Sequence, residues 1–464
     1  MTRTRYRNGT ALLLLALPAL ALATVSFERR WHWFREDVGR SVALTADGGY
    51  LVGGQIWVDS NEYRMVLVRT DSLGDTTSVR YVLGASNGSG YLCRLSGGDF
   101  VAAGVRSGPR VSARGFDPSG DSIWAYDSPR RSQVYALIAT SDGGCVIAGR
   151  DSALDMGLTK LNSAGHEEWN HGYDDPRIQG STAFGVAETR DGGFMLCGDA
   201  TDYMGSYIRL VRTDSVGDTL WTQLISGPVG PSLRAVREMP DGGFLAVGSE
   251  FDTLGSKSAL YLLRTDSTGA ILWTRNIPMP GAGTTGLAMN TNQDGGFVVA
   301  GQIDWSDSAR AWLVKLDSAA DTVWTSGLPG RAKERAVDVW QTADGGYVLA
   351  GTSDPPNDSI LLFKTDPLGH IEVGIAEERP TPGERIALSV EPNPSSDVVR
   401  VEWSVPVRSV ARLSLYDALG RQVFSSSGLR TSPFGIRTSP FPQGVYLLRI
   451  ESDRGSATRK LVIE

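Results

Sequence analysis

The stretch Ala235–Ile277, AVREMPDGGFLAVGSEFDTLGSKSALYLLRTDSTGAILWTRNI, predicts the fold of most of this chain. It contains two turn motifs, Asp241-Gly242-Gly243 and Asp266-Ser267-Thr268-Gly269, and each lies between short apolar runs. Such runs are typical of β-strands, and Asp-Gly between two of them is typical of a hairpin, because Gly supplies the positive φ that the turn needs. The four predicted strands, which we call a, b, c and d, span 235–238, 244–248, 260–264 and 271–277.

Both motifs recur along the chain. The residue after the first motif is aromatic or apolar, and its copies are 45 to 53 residues apart: Tyr50, Phe100, Cys145, Phe194, Phe244, Phe297 and Tyr347. The best copies of the second motif are Asp-x-x-Gly-x-x-x-Trp and end at Trp124, Trp169, Trp221, Trp273 and Trp324. Regular spacing in this range indicates a repeat architecture. One four-stranded sheet cannot bury both of its faces, whereas seven such sheets packed face to face around an axis can. We therefore predict an all-β fold with a seven-bladed β-propeller.

The N-terminus predicts export, and the charge of the chain disfavours one class of partner. Residues 1–23 have three arginines, an apolar core at 11–17 and the small-residue site Ala21-Leu22-Ala23, the pattern of a secretory signal peptide. The apolar run is too short to span a bilayer, which takes about 20 residues, so no transmembrane segment is expected after cleavage. The net charge of −7 and the lack of a basic run disfavour a nucleic-acid partner.

The predicted domains are a signal peptide at 1–23, the propeller at 24–375, a linker at 376–385 and a β-sandwich at 386–464. The linker contains the Pro-rich, charged stretch EERPTPGE. A Trp-bearing segment, Arg30–Phe34, precedes the first predicted a strand. We predict that it pairs with the last blade near Ile371–Ile375 and so closes the ring, because closure removes exposed sheet edges.

Four motifs follow one another in the C-terminal region. They are the Pro392-Asn393-Pro394 turn, Tyr416-Asp417 with Gly420-Arg421, Gly444-Val445-Tyr446, and the terminal stretch that contains Lys460. With them, the last 80 residues resemble the type IX secretion sorting domain of Gram-negative bacteria. The resemblance implies a small immunoglobulin-like β-sandwich, the type IX machinery as a partner, passage through the outer membrane, and release or attachment at the cell surface. An immunoglobulin-like domain of flagellar hook-cap proteins shares the Tyr-Asp-x-x-Gly-Arg core and is the alternative.

The Asp-Gly-Gly-(Tyr/Phe) repeat is similar to the repeat propellers of secreted bacterial proteins. That resemblance implies a fold and an extracellular or cell-surface location but no activity. Repeats of quinone-dependent dehydrogenases also end in Gly-x-x-x-Trp, where the Trp docks neighbouring blades, and the same role is expected for Trp221 and Trp273. The adjacent cysteines of those active sites are missing here.

The topology predicts which face of the propeller binds ligands. In an a-b-c-d blade both repeated turns lie on one face, which we call the turn face. The variable b–c and d–a connections lie on the other, the loop face, and variable loops on a rigid scaffold are where binding usually occurs. The predicted ligand-binding residues of the loop face are aromatic or acidic: Trp57, Tyr63, Tyr173, Asp174, Asp175, Tyr203, Asp252 and Trp305.

No metal, cofactor or catalytic residue is predicted. The repeated Asp residues are expected to accept backbone hydrogen bonds in turns, since one catalytic site needs unique residues and these recur in nearly every blade. The four histidines form no zinc-type pair. Cys93, Cys145 and Cys197 are expected to be buried free thiols on strands a or b, with a Cys145–Cys197 disulfide as the alternative.

The leading prediction is therefore a secreted or cell-surface binding module for a polysaccharide or a protein. A polysaccharide-active hydrolase or lyase with its site on the loop face is the second hypothesis. A display or spacer protein without a dedicated ligand is the third.

Overall fold

The structure, a computed structural model, describes the chain from residue 25 to residue 463 with gaps. The described ranges are 25–34, 36–59, 62–82, 90–106, 110–226, 231–251, 257–305, 308–330, 333–353, 358–371, 387–391, 393–395, 397–404, 411–417, 421–429, 433–452 and 455–463. The chain divides into two compact units, Met1–Glu372 and Val373–Glu464. The predicted signal peptide, the linker and the predicted domain boundaries lie outside the described residues, so they stay predictions.

The first unit consists of β-strands and their connections. In chain order its strands are β1 (Phe27–Trp31), β2 (Val38–Leu44), β3 (Tyr50–Asp59), β4 (Glu62–Thr70), β5 (Thr76–Val82), β6 (Tyr91–Arg94), β7 (Phe100–Arg106), β8 (Arg110–Phe116), β9 (Ser122–Arg131), β10 (Gln133–Ala139), β11 (Cys145–Arg150), β12 (Met156–Leu161), β13 (Glu167–Gly172), β14 (Gly180–Glu188), β15 (Phe194–Thr201), β16 (Ser206–Thr213), β17 (Thr219–Ser226), β18 (Ser232–Glu238), β19 (Phe244–Phe251), β20 (Ser258–Thr265), β21 (Ile271–Ile277), β22 (Gly283–Thr291), β23 (Phe297–Trp305), β24 (Ser308–Leu316), β25 (Thr322–Gly327), β26 (Glu334–Gln341), β27 (Tyr347–Ser353) and β28 (Ser359–Thr365). Strand d of the opening stretch was predicted at the bounds of β21, and strands a, b and c were predicted shorter than they are.

These strands form seven four-stranded antiparallel sheets. Sheets 1 to 6 each contain four successive strands, from β2–β5 to β22–β25, and sheet 7 contains β26, β27, β28 and β1. The first strand of each sheet contacts the first strand of the next, and β26 contacts β2. The sheets therefore close into a ring around their innermost strands, which confirms the predicted all-β propeller architecture.

The N-terminal strand closes the ring, but its partner differs from the prediction. β1 pairs antiparallel with β28, with Phe27 opposite Lys364 and Trp31 opposite Ile360. Pairing with the last blade is thus confirmed, whereas the predicted partner near residues 371–375 is wrong. The reason is that β1 itself takes the outermost, d position of sheet 7, and a d strand pairs with the c strand of its own sheet.

The Trp residues of the second motif dock neighbouring sheets. Each indole lies over the Gly of the c–d turn in the next sheet, so that a Cβ added to that Gly would meet the ring: Trp124 over Gly165, Trp169 over Gly217, Trp221 over Gly269 and Trp324 over Gly369. Trp273 packs in one cluster with Ala320, and Phe27 lies over Gly74 at the closure. The predicted docking role of Trp221 and Trp273 is confirmed.

The turn aspartates have structural partners. Asp191 Oδ1 accepts a hydrogen bond from Gly193 N at 3.2 Å, and Asp214 Oδ1 accepts bonds from Val216 N and Asp218 N at 3.0 and 2.9 Å. The first-motif aspartates also pair with a basic residue near the end of strand c: Asp47 with Arg69, Asp142 with Lys160, Asp191 with Arg212, Asp241 with Arg264, Asp294 with Lys315 and Asp344 with Lys364. In sheet 2, Gly97 and Gly115 occupy the two positions, so the acid and the base are lost together.

The second unit is a β-sandwich. Its strands are β29 (Ala387–Glu391), β30 (Val398–Ser404), β31 (Ala411–Tyr416), β32 (Gln422–Leu429), β33 (Phe434–Arg437), β34 (Gly444–Ser452) and β35 (Gly455–Ile463). They form a three-stranded sheet, β29-β30-β33, and a four-stranded sheet, β32-β31-β34-β35. Side chains of both sheets, such as Val401 and Leu448, share one buried cluster. The sandwich is confirmed, and β32 and β33 were not predicted.

Candidate functional site

Three exposed aromatic side chains lie at the b–c connections of neighbouring sheets on the loop face. Tyr203 follows β15 in sheet 4 and is 92% exposed, Phe251 ends β19 in sheet 5 at 48%, and Trp305 ends β23 in sheet 6 at 38%. The guanidinium of Arg310 lies 5.9 Å from the centre of the Trp305 ring. Tyr203 and Trp305 were predicted ligand-binding residues, and the structure places both at the surface.

Each of these aromatics directly follows an acidic residue, giving Asp202-Tyr203, Glu250-Phe251 and Asp304-Trp305. The three carboxylates are partly exposed, and each is oriented by a protein donor. Tyr207 donates to Asp202 at 2.9 Å, Asn276 donates to Glu250 at 2.9 Å, and the Gln302 amide donates to Asp304. Because an ionised carboxylate offers about four acceptor positions, each retains capacity for a ligand donor.

In sheet 1, Trp57 and Tyr63 stand opposite each other on β3 and β4. Their ring centroids are 5.4 Å apart, and both side chains are partly exposed. The Tyr63 hydroxyl donates to Glu36 Oε2 at 2.8 Å, and burial, with this carboxylate, raises the pKa of Tyr63 to about 12. The structure therefore brings these two predicted residues together as a fixed aromatic pair.

Tyr173 and Asp175 are buried and form hydrogen bonds with other groups of the protein. Tyr173 is buried, its hydroxyl donates to Gly217 O at 3.1 Å, and its carbonyl accepts a 2.6 Å bond from Arg209. Asp175 is buried and accepts two hydrogen bonds from the Arg177 guanidinium, which is the largest cause of its lowered pKa. We therefore leave both residues out of the binding surface. Asp174 is exposed beside them, and Asp252 lies outside the described residues.

The d–a connection of sheet 3 is held by a buried polar cluster around Arg209. The Arg209 side chain is almost fully buried, and it donates to Ser181 Oγ at 2.6 Å and to Asp155 Oδ1 at 3.3 Å. Burial raises the pKa of Asp155, against the opposing effects of Ser181 and Arg209. The cluster holds the loop that carries Asp174. Sequence analysis did not find it, because Asp155, Ser181 and Arg209 lie in three separate segments of the chain.

Metal-binding and thiol chemistry are not supported by the geometry of the described part. In the described ranges, no group of three or more His, Cys, Asp or Glu residues is placed to hold a metal ion. Cys93, Cys145 and Cys197 are buried free thiols on β6, β11 and β15, as predicted, so the alternative disulfide is wrong. Burial raises the pKa of Cys145 and of Cys197 to about 12.

The described motif residues of the second unit hold the sandwich together. Asn393 bridges to the last strand, donating from Nδ2 to Lys460 O at 2.7 Å and accepting from Val462 N at 2.8 Å. Asp417, next to Tyr416 at the end of β31, accepts bonds from Arg421 N and Nε at 2.9 and 2.8 Å.

Two further motif residues lie on β34. Gly444 begins the strand, and Tyr446 is buried and donates to Pro442 O at 2.7 Å. Pro394 is exposed, whereas Pro392 and Gly420 lie outside the described residues. The motifs thus specify turns and the final strand of the sandwich.

Comparison with known proteins identifies the second unit. Residues 389–464 match the family model of the secretion system C-terminal sorting domain. A sorting domain of this type acts with the type IX secretion machinery and indicates export to the cell surface or the extracellular space. A search of curated proteins found no match. Among the described residues, no helix is long and apolar enough to cross a membrane.

Several solved structures resemble the chain at low identity. A fungal alcohol oxidase in complex with copper is 12% identical with a TM-score of 0.47, covering 95% of this chain and 99% of that one. The WD40 domain of Toxoplasma gondii coronin is 9% identical with a TM-score of 0.47, covering 74% and 87%. A protein of unknown function from Dyadobacter fermentans is 12% identical with a TM-score of 0.46, covering 74% and 98%. The fold assignment rests on the sheet topology described above.

Proposed function

We propose that this protein is an exported glycan-binding protein whose loop face holds an extracellular polysaccharide. The observation that carries the proposal is the acid–aromatic pair at the b–c connections of sheets 4, 5 and 6: Asp202-Tyr203, Glu250-Phe251 and Asp304-Trp305. Three such pairs on neighbouring sheets suit a ligand with a repeating unit, because each unit could contact one carboxylate and one aromatic ring.

The chemistry of these pairs matches a sugar ring. An exposed aromatic face stacks on the C–H face of a pyranose, and such burial is favourable because it removes apolar surface from water. A carboxylate beside it accepts hydrogen bonds from sugar hydroxyl groups, and charge-assisted bonds of this kind are stronger than neutral ones. The hydrogen bonds that fix each carboxylate limit the entropy lost on binding.

Export supports an extracellular ligand. The C-terminal sorting domain indicates delivery to the surface or the medium. We extend this to a cleaved signal peptide at residues 1–23 and passage across the outer membrane. The turn motifs and the docking indoles of the ring make contacts within the protein. This leaves the loop face as the surface that can vary for recognition.

Calorimetric titration of the mature full-length chain with a panel of polysaccharide oligomers tests the proposal. We expect one glycan class to bind, and we expect Trp305→Ala to weaken that binding about tenfold, which corresponds to about 1.4 kcal/mol. Tyr81→Ala is the matched control, because Tyr81 is 47% exposed on β5, an outermost strand away from the b–c connections.

Equal losses from Trp305→Ala and Tyr81→Ala would contradict the assignment of the surface. Shortening of the bound oligomer during titration would instead support the hydrolase or lyase hypothesis. Binding of no glycan in the panel would overturn the proposal and leave a protein ligand or a display role.

A further inference from the structure

The innermost strands carry a repeated β-bulge. The strand register shifts at one residue in six of the seven sheets, and the side chains at the bulge are Arg40, Tyr135, Phe184, Arg234, Leu287 and Val337. Each lies seven residues before the Asp of the first turn motif, and Gly90 holds the matching place in sheet 2. Bulges re-aim side chains, and these six are partly exposed, as expected for the wall of a narrow central channel.

Arginines and aromatic rings meet at the loop-face end of this channel. The Arg234 guanidinium stacks on the Phe184 ring at 3.8 Å, and the Tyr135 ring contacts Phe184 edge-on at 5.0 Å. Tyr91 follows the Gly of sheet 2, and its pKa is raised, chiefly by burial, while the positive charges of Arg40 and Arg234 lower it. Five side chains from five successive sheets, Arg40, Tyr91, Tyr135, Phe184 and Arg234, therefore lie at this end of the channel, which we call the channel mouth.

Arg40 has no partner in this group. Among the described residues its guanidinium forms no hydrogen bond or ion pair, and its Nε is buried from solvent without an acceptor. A buried donor left unsatisfied costs about 1–3 kcal/mol, and more when it is charged. Such an arrangement is expected where an anionic ligand supplies the acceptor.

The nearby carboxylates do not neutralise the channel. Asp199 lies 3.9 Å from Arg234, and its pKa is raised by burial. Asp338 interacts with Arg237 lower in the channel, and its carboxylate accepts a 2.9 Å bond from Val42 N. Asp199 interacts with Arg234 and Asp338 interacts with Arg237. Neither carboxylate therefore balances the positive charge of Arg40 at the channel mouth.

We propose that the channel mouth binds the carboxylate of a uronic acid residue, so that the glycan taken by the loop face is an acidic one. The planar guanidinium of Arg40 fits a carboxylate with two parallel hydrogen bonds, and a single surplus charge matches a single carboxylate. The rings of Tyr91, Tyr135 and Phe184 suit the pyranose that carries it. This inference rests on the proposed glycan-binding function.

The experiment is calorimetric titration of the mature full-length chain with oligogalacturonate and oligomannuronate, each beside its carboxyl-reduced, neutral counterpart. We expect one uronate oligomer to bind at least tenfold more tightly than its neutral counterpart. Arg40→Gln should abolish this preference and leave the weaker binding of the neutral oligomer unchanged. Arg190→Gln, an exposed arginine in a turn of the opposite face, is the control and should change neither.

Each outcome separates the two proposals. Equal affinity for acidic and neutral oligomers would overturn the channel-mouth site and leave glycan binding intact. Equal losses from Arg40→Gln and Arg190→Gln would assign the preference to general charge and would also overturn it. Failure of both uronate oligomers to bind would overturn the channel-mouth site, whereas the panel of polysaccharide oligomers decides the glycan-binding proposal separately. Because Arg40→Gln removes an unpaired buried charge, the variant should melt at a temperature no lower than that of the wild type.

Discussion

Docking of each sheet on the next is most directly perturbed at Gly217. This residue lies in the c–d turn of sheet 4 with φ of +86°. An added Cβ would come within 2.6 Å of His171 Cδ2 and 2.9 Å of Trp169 Cζ3, both on the outermost strand of sheet 3. Gly295 is the matched control: it lies in a turn of sheet 6 with φ of +78°, and a Cβ added there would meet no heavy atom within 4 Å.

Both Ala substitutions force an L-residue into the left-handed region, which costs about 1–2 kcal/mol. Gly217→Ala must also displace the Trp169 ring, and overpacking of this kind costs about 1–3 kcal/mol more. We therefore expect Gly217→Ala to lower the free energy of unfolding by about 2–5 kcal/mol and Gly295→Ala by about 1–2 kcal/mol.

The assay is equilibrium unfolding in urea followed by Trp fluorescence, repeated in a background that carries both Trp169→Ala and His171→Ala. In that background both rings that the added methyl group would meet are gone, so Gly217→Ala should cost no more than Gly295→Ala. Equal costs of the two Gly substitutions in the wild-type background would refute the docking of Trp169 on the neighbouring turn.

Three further outcomes are expected. Burial raises the pKa of Asp338 to about 6, so between pH 4 and pH 6 the native state binds a proton that the unfolded state has lost; the contribution of Asp338 to the free energy of unfolding should therefore fall by about 2 kcal/mol as pH rises from 4 to 7, measured as the difference between wild type and Asp338→Asn in pH-dependent calorimetry. Asp191→Asn should cost about 1–3 kcal/mol in urea unfolding, because it weakens the bonds to the buried Arg212 guanidinium, and an unchanged midpoint would contradict this role. Asn393→Ala removes both hydrogen bonds to the last strand, so the sorting domain should unfold at a lower temperature in calorimetry and reach the cell surface in smaller amounts; wild-type values for both would contradict the bridge.

Local turn chemistry explains how much of the fold could be predicted. Asp-Gly-Gly and Asp-x-x-Gly specify their hairpins within a few residues, so the strands on either side followed directly, and seven copies predicted seven sheets. The partner of β1 could not be predicted in the same way. Phe27 and Lys364 are paired across more than 330 residues of sequence, and only the completed ring brings them together.

The candidate site was predicted less well than the fold. Tyr203 and Trp305 were found because they lie in polar loops, where a large aromatic side chain has no local partner. Tyr173 also follows the end of a strand, but its hydroxyl donates to Gly217 in the next sheet. No local sequence pattern indicates that contact. Arg40 was missed because a bulge interrupts the alternation of its strand, although its constant distance from the turn motif could have revealed it.

The central claim is that the loop face binds an extracellular glycan. The most direct test is thermal unfolding of the mature full-length chain with a panel of acidic and neutral glycans. A ligand that binds only the native state stabilises it by about 2.7 kcal/mol at a hundredfold excess over the dissociation constant. The account predicts a higher melting temperature with one class of uronate-containing glycan, and an unchanged melting temperature with every glycan at saturating concentrations would contradict it.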